Sequence, residues 1–423
     1  MPIKTYQLNS GAARAIFAAI ATLTVILVLF VVKWGFAHTA AVRSDTIEVA
    51  ELATDLGPDD PQTHYALAVV SERTFASGDL EKAVKEFEFA AALSPNNYLL
   101  WLDLGRARER IGDQSGAEMA LRKALELAPN YSRVRWALGN VLLRQGKSDE
   151  AFAEIRKAVA NDAAYTDAAA TTAWQILDGD IAMVRNAIGD SFRSNAALAT
   201  LLAGRKRFDE AMGIWDRLPA DEKNISLKET GQTLYRQFIE AGKYRFASSV
   251  GDQIGISPNV AVAIGEIANG GFEEPLAAQN SNIFSWRIAD GTSPRIGPTD
   301  GQKHSGNYSL LVSFAAGGKD IRPVSQTIVV EPGKSYVFEI FYRSDIKTQV
   351  KLKWEIITAA DGKAIAATDT LTPAADWMPV RTSFSLPADT DGVTIRFAAG
   401  DCNPTACPIS GSIWFDDFTL KSQ

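Results

Sequence analysis

The chain has 423 residues, of which 46% are hydrophobic and 22% are charged, and its formal net charge is -7. This length predicts two or three folded units, and the composition is that of an ordinary globular protein. The negative charge disfavours nucleic-acid binding, because neutralising phosphates requires a basic surface. With only three histidines and two cysteines, a Cys/His zinc site is also disfavoured.

An uncharged apolar run covers residues 15–32, between Arg14 and Lys33. Eighteen such residues are about enough to cross a hydrocarbon core of roughly 30 Å. We therefore predict a cytoplasmic tail and a transmembrane helix over residues 1–40. A cleaved signal peptide is the alternative, since residues 37–41 offer small side chains for cleavage, but its apolar region is usually shorter, at about 7–15 residues.

The charges around this run predict its orientation. Lys4 and Arg14 precede it, and acidic residues such as Glu48 follow it, although Lys33 and Arg43 weaken the asymmetry. The tendency of positive charge to stay inside favours a single-pass protein of the cytoplasmic (inner) membrane, with its N-terminus in the cytoplasm. The bulk of the chain would then be extracytoplasmic, in the periplasm.

The two cysteines support the same side of the membrane. Cys402 and Cys407 lie in one loop, separated by four residues that include Pro404. A disulfide between them would need an oxidising compartment, whereas two unrelated thiols would not. We predict the disulfide.

The region from residue 65 to residue 163 repeats with a period of 34 residues. Three residue types keep this phase: Pro61, Pro95 and Pro129; Gly78, Gly112 and Gly146; Ala83, Ala117 and Ala151; and Ala90, Ala124 and Ala158. The period matches a helix–turn–helix repeat. It predicts an all-α solenoid of about five to six helix pairs over residues 41–255, with a degenerate pair near Asp178 and an incomplete unit before Pro61.

One unit of this array resembles the tetratricopeptide repeat family. The matching residues are Trp101, Leu104, Gly105, Ala117, Leu121, Ala124 and Pro129. Small residues let the two helices approach where they cross, and the large apolar residues fill the seam. The resemblance implies a concave groove, lined by the first helix of each pair, that binds a protein partner.

Transferring the family's groove positions predicts a basic centre for that groove. Its residues are Arg106, Arg110, Arg133, Trp136, Asn140 and Arg144. Guanidinium groups beside an aromatic ring suit a segment rich in carboxylates, or an acidic sugar. The alternative is a solvated helix face whose arginines pair with Glu109 and Asp103. The lysine and asparagine clamp of chaperone-binding members is absent from the first pair, which disfavours a chaperone-tail receptor.

After Gly255 the composition changes to short alternating runs between Gly, Pro, Asn and Asp turns. The predicted strands are 308–314, 326–330, 336–343, 349–357, 380–386, 393–398 and 412–420. About seven or eight strands fit an all-β two-sheet jelly-roll sandwich over residues 269–423. Residues 256–268 are interpreted as a linker, in which an apolar run also allows a packed segment.

This region resembles the jelly-roll carbohydrate-binding modules of the galactose-binding-like type. The resemblance rests on Asn269-Gly-Gly-Phe-Glu-Glu, His304-Ser-Gly-Asn-Tyr-Ser-Leu-Leu-Val and Trp414-Phe-Asp-Asp-Phe-Thr-Leu. It implies a glycan or polysaccharide ligand. It also implies a structural calcium ion, for which Glu273, Asp416 and neighbouring Asp417 match the family's positions. Two aspartates turned towards solvent at a sheet edge are the alternative.

Strand alternation separates core residues from candidate glycan contacts. The candidates are Glu339, Phe341, Arg343, Lys351 and Lys353, together with Trp286 and Trp377 in turn-rich segments. An aromatic ring among polar groups is typical of a glycan groove, because sugars need a stacking platform beside hydrogen-bonding groups. An ordinary solvated sheet face has the same pattern, and each tryptophan could instead be buried as a cap of the sandwich.

No phosphate loop, nucleophile elbow, zinc-protease helix or dinucleotide fingerprint is found in the sequence. We therefore predict a membrane-anchored, non-catalytic adaptor, whose solenoid binds a protein and whose sandwich binds a glycan during envelope polysaccharide assembly or export. A purely structural assembly scaffold is the alternative. A glycan-cleaving enzyme, which would need two carboxylates in a cleft, is the third possibility.

Overall fold

The computed structural model describes residues 10–74, 78–256, 263–276, 282–318, 321–400 and 407–423. The chain divides into two compact units, Met1–Asp190 and Ser191–Gln423. The first unit is helical, and the second combines helices with a β-sandwich. The division therefore falls inside the predicted helical region 41–255, because the last helices cluster with the sandwich.

The first unit begins with the long helix α1 (Gly11–Val42), whose apolar side chains are exposed over residues 16–32. By length and composition this helix is able to cross a membrane, a test that a signal sequence also passes. Its last turns are buried in protein, with Ala37 0% and Ala41 3% exposed. His38 adds a polar contact there, since its Nδ1 lies 2.8 Å from Oδ2 of Asp60.

The other helices of this unit form antiparallel pairs. They are α2 (Ile47–Leu56), α3 (Pro61–Thr74), α4 (Asp79–Leu93), α5 (Tyr98–Arg110), α6 (Gln114–Leu127), α7 (Ser132–Arg144), α8 (Ser148–Asn161), α9 (Thr166–Ile176) and α10 (Ile181–Ile188). The incomplete unit predicted before Pro61 is α2, and its partner is the end of α1. The degenerate pair predicted near Asp178 is α9 and α10.

Small residues allow the phased pairs to cross closely. A Cβ atom on Gly105 would lie 2.6 Å from Cγ of Leu121, and one on Gly139 would lie 2.6 Å from Cγ1 of Ile155. Heavy atoms do not approach so closely, so each site requires glycine. The residues that revealed the repeat are thus packing residues.

The second unit begins with helices of its own. They are α11 (Phe192–Gly204), α12 (Phe208–Trp215), α13 (Ala220–Asn224), α14 (Lys228–Glu240) and α15 (Tyr244–Gln253). Buried aromatic rings hold them together, and Trp215 and Phe238 are both fully buried. Together with the first unit, they confirm the predicted all-α repeat region.

The sandwich contains two antiparallel five-stranded sheets. Its strands are β1 (Arg287–Ile288), β2 (Arg295–Thr299), β3 (Ser309–Gly318), β4 (Val324–Val329), β5 (Ser335–Ser344), β6 (Leu352–Thr358), β7 (Ala364–Ala367), β8 (Ala374–Ser385), β9 (Gly392–Ala399) and β10 (Ile409–Ser422). Sheet A has the order β1-β4-β9-β6-β7, and sheet B has the order β2-β3-β10-β5-β8. This confirms the predicted two-sheet fold.

The core between the sheets is aromatic. The ring of Trp354 lies 4.8 Å from that of Phe418, 5.3 Å from that of Phe415 and 5.6 Å from that of Phe397. Edge-on and tilted packing of this kind is favoured by the ring quadrupoles. Trp354 occupies the inward position that strand alternation predicts, whereas Phe415 and Phe418 both face the core because the register of β10 shifts between Asp416 and Thr419.

Helix α15 is joined directly to the sandwich. Asp391, in the loop between β8 and β9, accepts hydrogen bonds from the backbone N–H groups of Tyr244 (3.2 Å) and Arg245 (3.3 Å) at the first turn of α15. A carboxylate at a helix N-terminus satisfies donors that have no partner within the helix. Tyr244 is buried against Gly392, where an added Cβ would lie 2.3 Å from its ring.

The chain that follows α15 also packs on the sandwich. Gly265 N–H donates to the carbonyl of Val329 (2.8 Å), and the side chain of Gln326 exchanges two hydrogen bonds with the backbone of Ala268. The described end of the predicted 256–268 linker is therefore part of the sandwich surface. Residues 257–262 lie outside the described residues.

Candidate functional site

The predicted glycan contacts do not lie on one surface. Glu339, Phe341 and Arg343 lie on β5 and point outward from sheet B, whereas Lys351 and Lys353 point outward from sheet A. Their grouping was wrong, because β5 and β6 are consecutive in sequence but belong to opposite sheets. Their outward side chains point away from each other.

The outer face of sheet B carries a group of partly exposed rings, which we call the aromatic face: Phe341, Trp377, Trp414 and His304. The His304 ring stacks on Phe341 with a centroid distance of 3.9 Å and an interplanar angle of 12°. Trp377 lies 5.7 Å from His304. Trp414 belongs to the same face, because it is paired with Arg343 of β5 in the sheet register.

Polar groups surround these rings. Arg343 donates from Nη1 to Oε1 of Gln302 (2.9 Å), and Arg381 forms an ion pair with Glu339. Fixed donors and acceptors beside aromatic rings suit a sugar, which presents an apolar ring face and polar hydroxyl edges. The aromatic face therefore has the chemistry of a glycan-binding surface.

Two aspartates of β10 hold the His304 loop in place. Oδ2 of Asp417 is 2.6 Å from Nδ1 of His304. Oδ1 of Asp417 accepts a hydrogen bond from Oγ of Ser305 (2.7 Å). Asp416 is fully buried and accepts from the backbone N–H groups of His304 (2.8 Å), Ser305 (3.1 Å) and Asp417 (2.8 Å). Burial raises the pKa of Asp416, although these hydrogen bonds oppose the rise.

Trp286 is not a surface platform. It is 4% exposed, packs its ring 4.8 Å from Phe418 and 5.1 Å from Phe272, and donates its indole N–H to the carbonyl of Asn269 (3.0 Å). Its selection as a glycan contact was wrong, because it caps the core instead. Trp377 remains partly exposed and belongs to the aromatic face.

The residues predicted to bind calcium lie near one another around Gly271. A Cβ there would lie 3.7 Å from Asp416 Oδ1, 3.8 Å from Glu273 Cγ and 3.9 Å from Asp417 Oδ1. Their oxygens are occupied by protein donors, however. Glu273 Oε1 accepts from the N–H groups of Tyr308 (3.0 Å) and Asn307 (2.7 Å), which lower the pKa of Glu273.

This donor set does not fit a cation. Within the described residues, no group of three or more His, Cys, Asp or Glu side chains is arranged to hold a metal ion. The calcium ion stays a prediction. The cysteine prediction is described only in part, because Cys407 is disulfide-bonded and Cys402 lies outside the described residues.

The predicted groove is partly neutralised by acidic partners. Arg110 pairs with Glu72 (2.6 Å) and Arg144 pairs with Glu109 (2.9 Å). These two arginines therefore follow the alternative interpretation, in which the groove is a solvated helix face with paired charges. Among the described residues, Arg106 makes no ion pair, and neither does the exposed Arg133.

A partly buried acid and several rings complete this groove. Tyr65 donates its hydroxyl to Asp103 Oδ2 (3.2 Å), and burial raises the pKa of Asp103, while Arg133 opposes the rise. The Trp136 ring lies 5.3 Å from that of Tyr165. Asn140 donates to the carbonyl of Trp136 (3.0 Å), so its amide is engaged by its own helix.

Two family models match the chain in these regions. One is described as "Carbohydrate binding domain" and matches residues 266–406, and the other is described as "Tetratricopeptide repeat" and matches residues 72–132 and 102–169. The first lies on the sandwich. The second covers the phased helix pairs of the first unit.

Similar proteins share parts of the chain. A peroxisomal targeting signal receptor of Saccharomyces cerevisiae is 29% identical over 104 residues, which are 25% of this chain and 16% of the receptor. DnaJ homolog subfamily C member 3 of Bos taurus is 24% identical over 142 residues, which are 34% of this chain and 28% of the homolog. The chain thus spans less than a third of either relative.

A solved structure described as "CBM4 structure and function" is 24% identical and covers 37% of this chain and 99% of its own, with a TM-score of 0.29. The helical pairs and the β-sandwich described above agree with the two family models. The chain contains tetratricopeptide repeats followed by a carbohydrate-binding domain.

Proposed function

We propose that the chain is a membrane-anchored, non-catalytic adaptor outside the cytoplasmic membrane. Its helical repeats bind a protein partner, and its sandwich binds a glycan during assembly or export of an envelope polysaccharide. The aromatic face is the observation that carries this proposal. Its rings stand beside hydrogen-bonding groups that are already held in place, so little ordering is needed when a sugar binds.

Phe341 and Trp377 are expected to supply much of the glycan affinity. Replacing each with alanine in the detergent-solubilised full chain should weaken binding at least tenfold, since losing an aromatic anchor costs on the order of 2 kcal/mol and about 1.4 kcal/mol is a factor of ten. Affinity electrophoresis in gels containing soluble galactan, xylan or β-glucan measures the effect. The control is Met378→Ala, which removes an exposed apolar side chain from the opposite side of the same strand.

Two results would oppose glycan binding by the aromatic face. One is a wild-type chain that none of the three polysaccharides retards. The other is retardation that is unchanged by both aromatic substitutions. Either would favour the assembly scaffold, in which this face packs on a protein.

The packing of α1 supports a retained anchor rather than a removable signal peptide. Ala37 and Ala41 are buried against the following helices, and His38 contacts Asp60. Cleavage within residues 37–41 would remove these contacts and leave α2 without its partner. The same helix would therefore cross the membrane and begin the solenoid.

The groove suits a protein segment that carries carboxylates. The exposed Arg133 lies near Tyr65, and both Arg106 and Arg133 lie near Asp103, so cations and an aromatic ring are available together. Replacing both arginines with glutamine should reduce severalfold the amount of protein cross-linked to the chain in native membranes. Lys123→Gln on α6 is the control, and equal recovery from both variants would contradict this role for the groove.

A further inference from the structure

The outer face of sheet A carries four cationic side chains, which we call the basic strip: Arg287, Lys351, Lys353 and Arg396. The register places Arg287 opposite Ser325 on β4, Ser325 opposite Arg396 on β9, and Arg396 opposite Glu355 on β6. Residues opposite one another in antiparallel strands point to the same face. Lys353 and Lys351 lie two and four residues before Glu355, so they project from that face as well.

The basic strip is not neutralised by its neighbours. Glu355 forms two ion pairs: Lys353 Nζ lies 3.0 Å from Oε1, and Arg396 Nη2 lies 2.8 Å from Oε2. One carboxylate therefore neutralises only part of the charge of two cations. Arg287 and Lys351 are exposed and form no ion pair within the described part of the chain. Four cations against one carboxylate leave three excess positive charges, in a chain whose formal net charge is -7.

The surface around these cations is open and polar. Lys353 is paired with Ala398 of β9, and Gly400, just after β9, donates its N–H to the carbonyl of Lys351 (2.8 Å), so small residues stand beside both lysines. Adjacent strands are about 4.8 Å apart and alternate residues of one strand are about 6.7 Å apart, so the cations are spread along the face rather than gathered at a point. The outward residues described on sheet A include no aromatic ring.

We propose that the basic strip binds an anionic polysaccharide that carries carboxylates along its length. Spaced ammonium and guanidinium groups match repeated carboxylates, and guanidinium groups can bind a carboxylate through two hydrogen bonds. The hydroxyl of Ser325 on the same face can pair with a sugar hydroxyl, whereas that of Thr394 already contacts Thr327 Oγ1 at 2.9 Å. This second site lies on the opposite side of the sandwich from the aromatic face, and it relies on charge where the aromatic face relies on ring stacking.

The proposal is tested with the detergent-solubilised full chain in gels containing polygalacturonate. The double variant Arg287→Gln/Lys351→Gln removes the two unpaired cations and should bind roughly fivefold to tenfold more weakly, as expected when two exposed ion pairs are lost. Arg287→Lys/Lys351→Arg keeps both charges and should retain most of the affinity. Lys421→Gln removes an exposed cation at the end of β10, on the other sheet, and should have no effect. Added salt should weaken wild-type binding, because exposed charges are screened.

Unchanged polygalacturonate affinity in the double variant overturns the proposal. So does wild-type binding that polyglutamate or phosphatidylglycerol micelles displace as effectively as free polygalacturonate does, because the strip would then select charge without regard to sugar. The Phe341→Ala and Trp377→Ala variants should keep their polygalacturonate affinity. Failure of the basic strip is therefore distinguishable from failure of the aromatic face.

Discussion

Replacing Asp416 with alanine is expected to lower the free energy of unfolding of the sandwich by roughly 3–5 kcal/mol and to abolish glycan binding by the aromatic face. The side chain is fully buried and accepts three backbone hydrogen bonds, two of them from the loop that carries His304. Each buried donor left without a partner costs about 1–3 kcal/mol. Without these acceptors the loop loses the position in which His304 stacks on Phe341.

The measurement is thermal unfolding of the full chain, followed by tryptophan fluorescence, with affinity electrophoresis of the same samples. Asp417→Ala is the matched variant. This neighbour is partly exposed and contacts the side chains of His304 and Ser305, so its loss should disturb the ring while destabilising the sandwich much less. Wild-type stability in the Asp416 variant would show that the three hydrogen bonds do not organise the loop.

The same samples test the calcium prediction. A metal ion that binds the folded state alone raises the melting temperature, and the stabilisation grows with the logarithm of its concentration relative to its Kd. If calcium binds here, adding it should stabilise the wild-type chain and leave the Asp416 variant unchanged. The occupied oxygens of Glu273 and Asp416 instead lead us to expect no stabilisation of either chain.

Replacing Ala37 with glutamate is expected to destabilise the first helices of the solenoid by about 3 kcal/mol, because an unpaired carboxylate would be buried between helices. Ala37 is 0% exposed and lies against Gly57, where an added Cβ would be 2.9 Å from the Ala37 Cβ. The change should lower the temperature at which helical circular dichroism is lost. Thr39→Glu, two residues further along on the exposed side of α1, should leave it almost unchanged.

This pair of variants also tests whether α1 is retained. If a peptidase removed α1 near residues 37–41, the mature chain would lack Ala37, and the two variants would have the same melting temperature. The intact mass of the purified protein reports cleavage directly. We expect a mass that includes residues 11–42 and a clear difference between the variants.

The repeat array could be predicted well from the sequence, because some of the residues that keep the 34-residue period cannot be replaced by larger ones. Gly105 and Gly139 stand where two helices cross, and nothing larger fits there. The pairing of α1 with α2 was not predicted. The apolar run of α1 dominates the pattern, and only two buried alanines, Ala37 and Ala41, mark its contact with the next helices.

In the sandwich, alternation identified which residues point outward but not from which sheet. That is why Lys353 was grouped with Phe341, although the next strand along the chain belongs to the other sheet. The strands β1, β2 and β7 were missed because they are short and lack an alternating apolar pattern. Short strands at sheet edges depend on their neighbours more than on their own residues.

The candidate site was predicted only in part for a similar reason. Phe341 and Trp377 were recognisable as rings among polar residues, whereas His304 joins them through a loop closed by Asp416 and Asp417, more than a hundred residues later. A contact over that separation leaves no local pattern. The His304-Ser-Gly-Asn motif was visible, but as a sign of the fold.

The contact between Asp391 and the start of α15 has a mechanical consequence. Asp391 accepts hydrogen bonds from the N–H groups of Tyr244 and Arg245, and the Tyr244 ring packs against Gly392, so these contacts fix the start of α15 to the loop between β8 and β9. A force on a polymer bound by the sandwich would be transmitted through these contacts to the α14–α15 pair. If the sandwich binds a polysaccharide as proposed, a pull on that polymer would therefore act on the last helix pair of the repeat region.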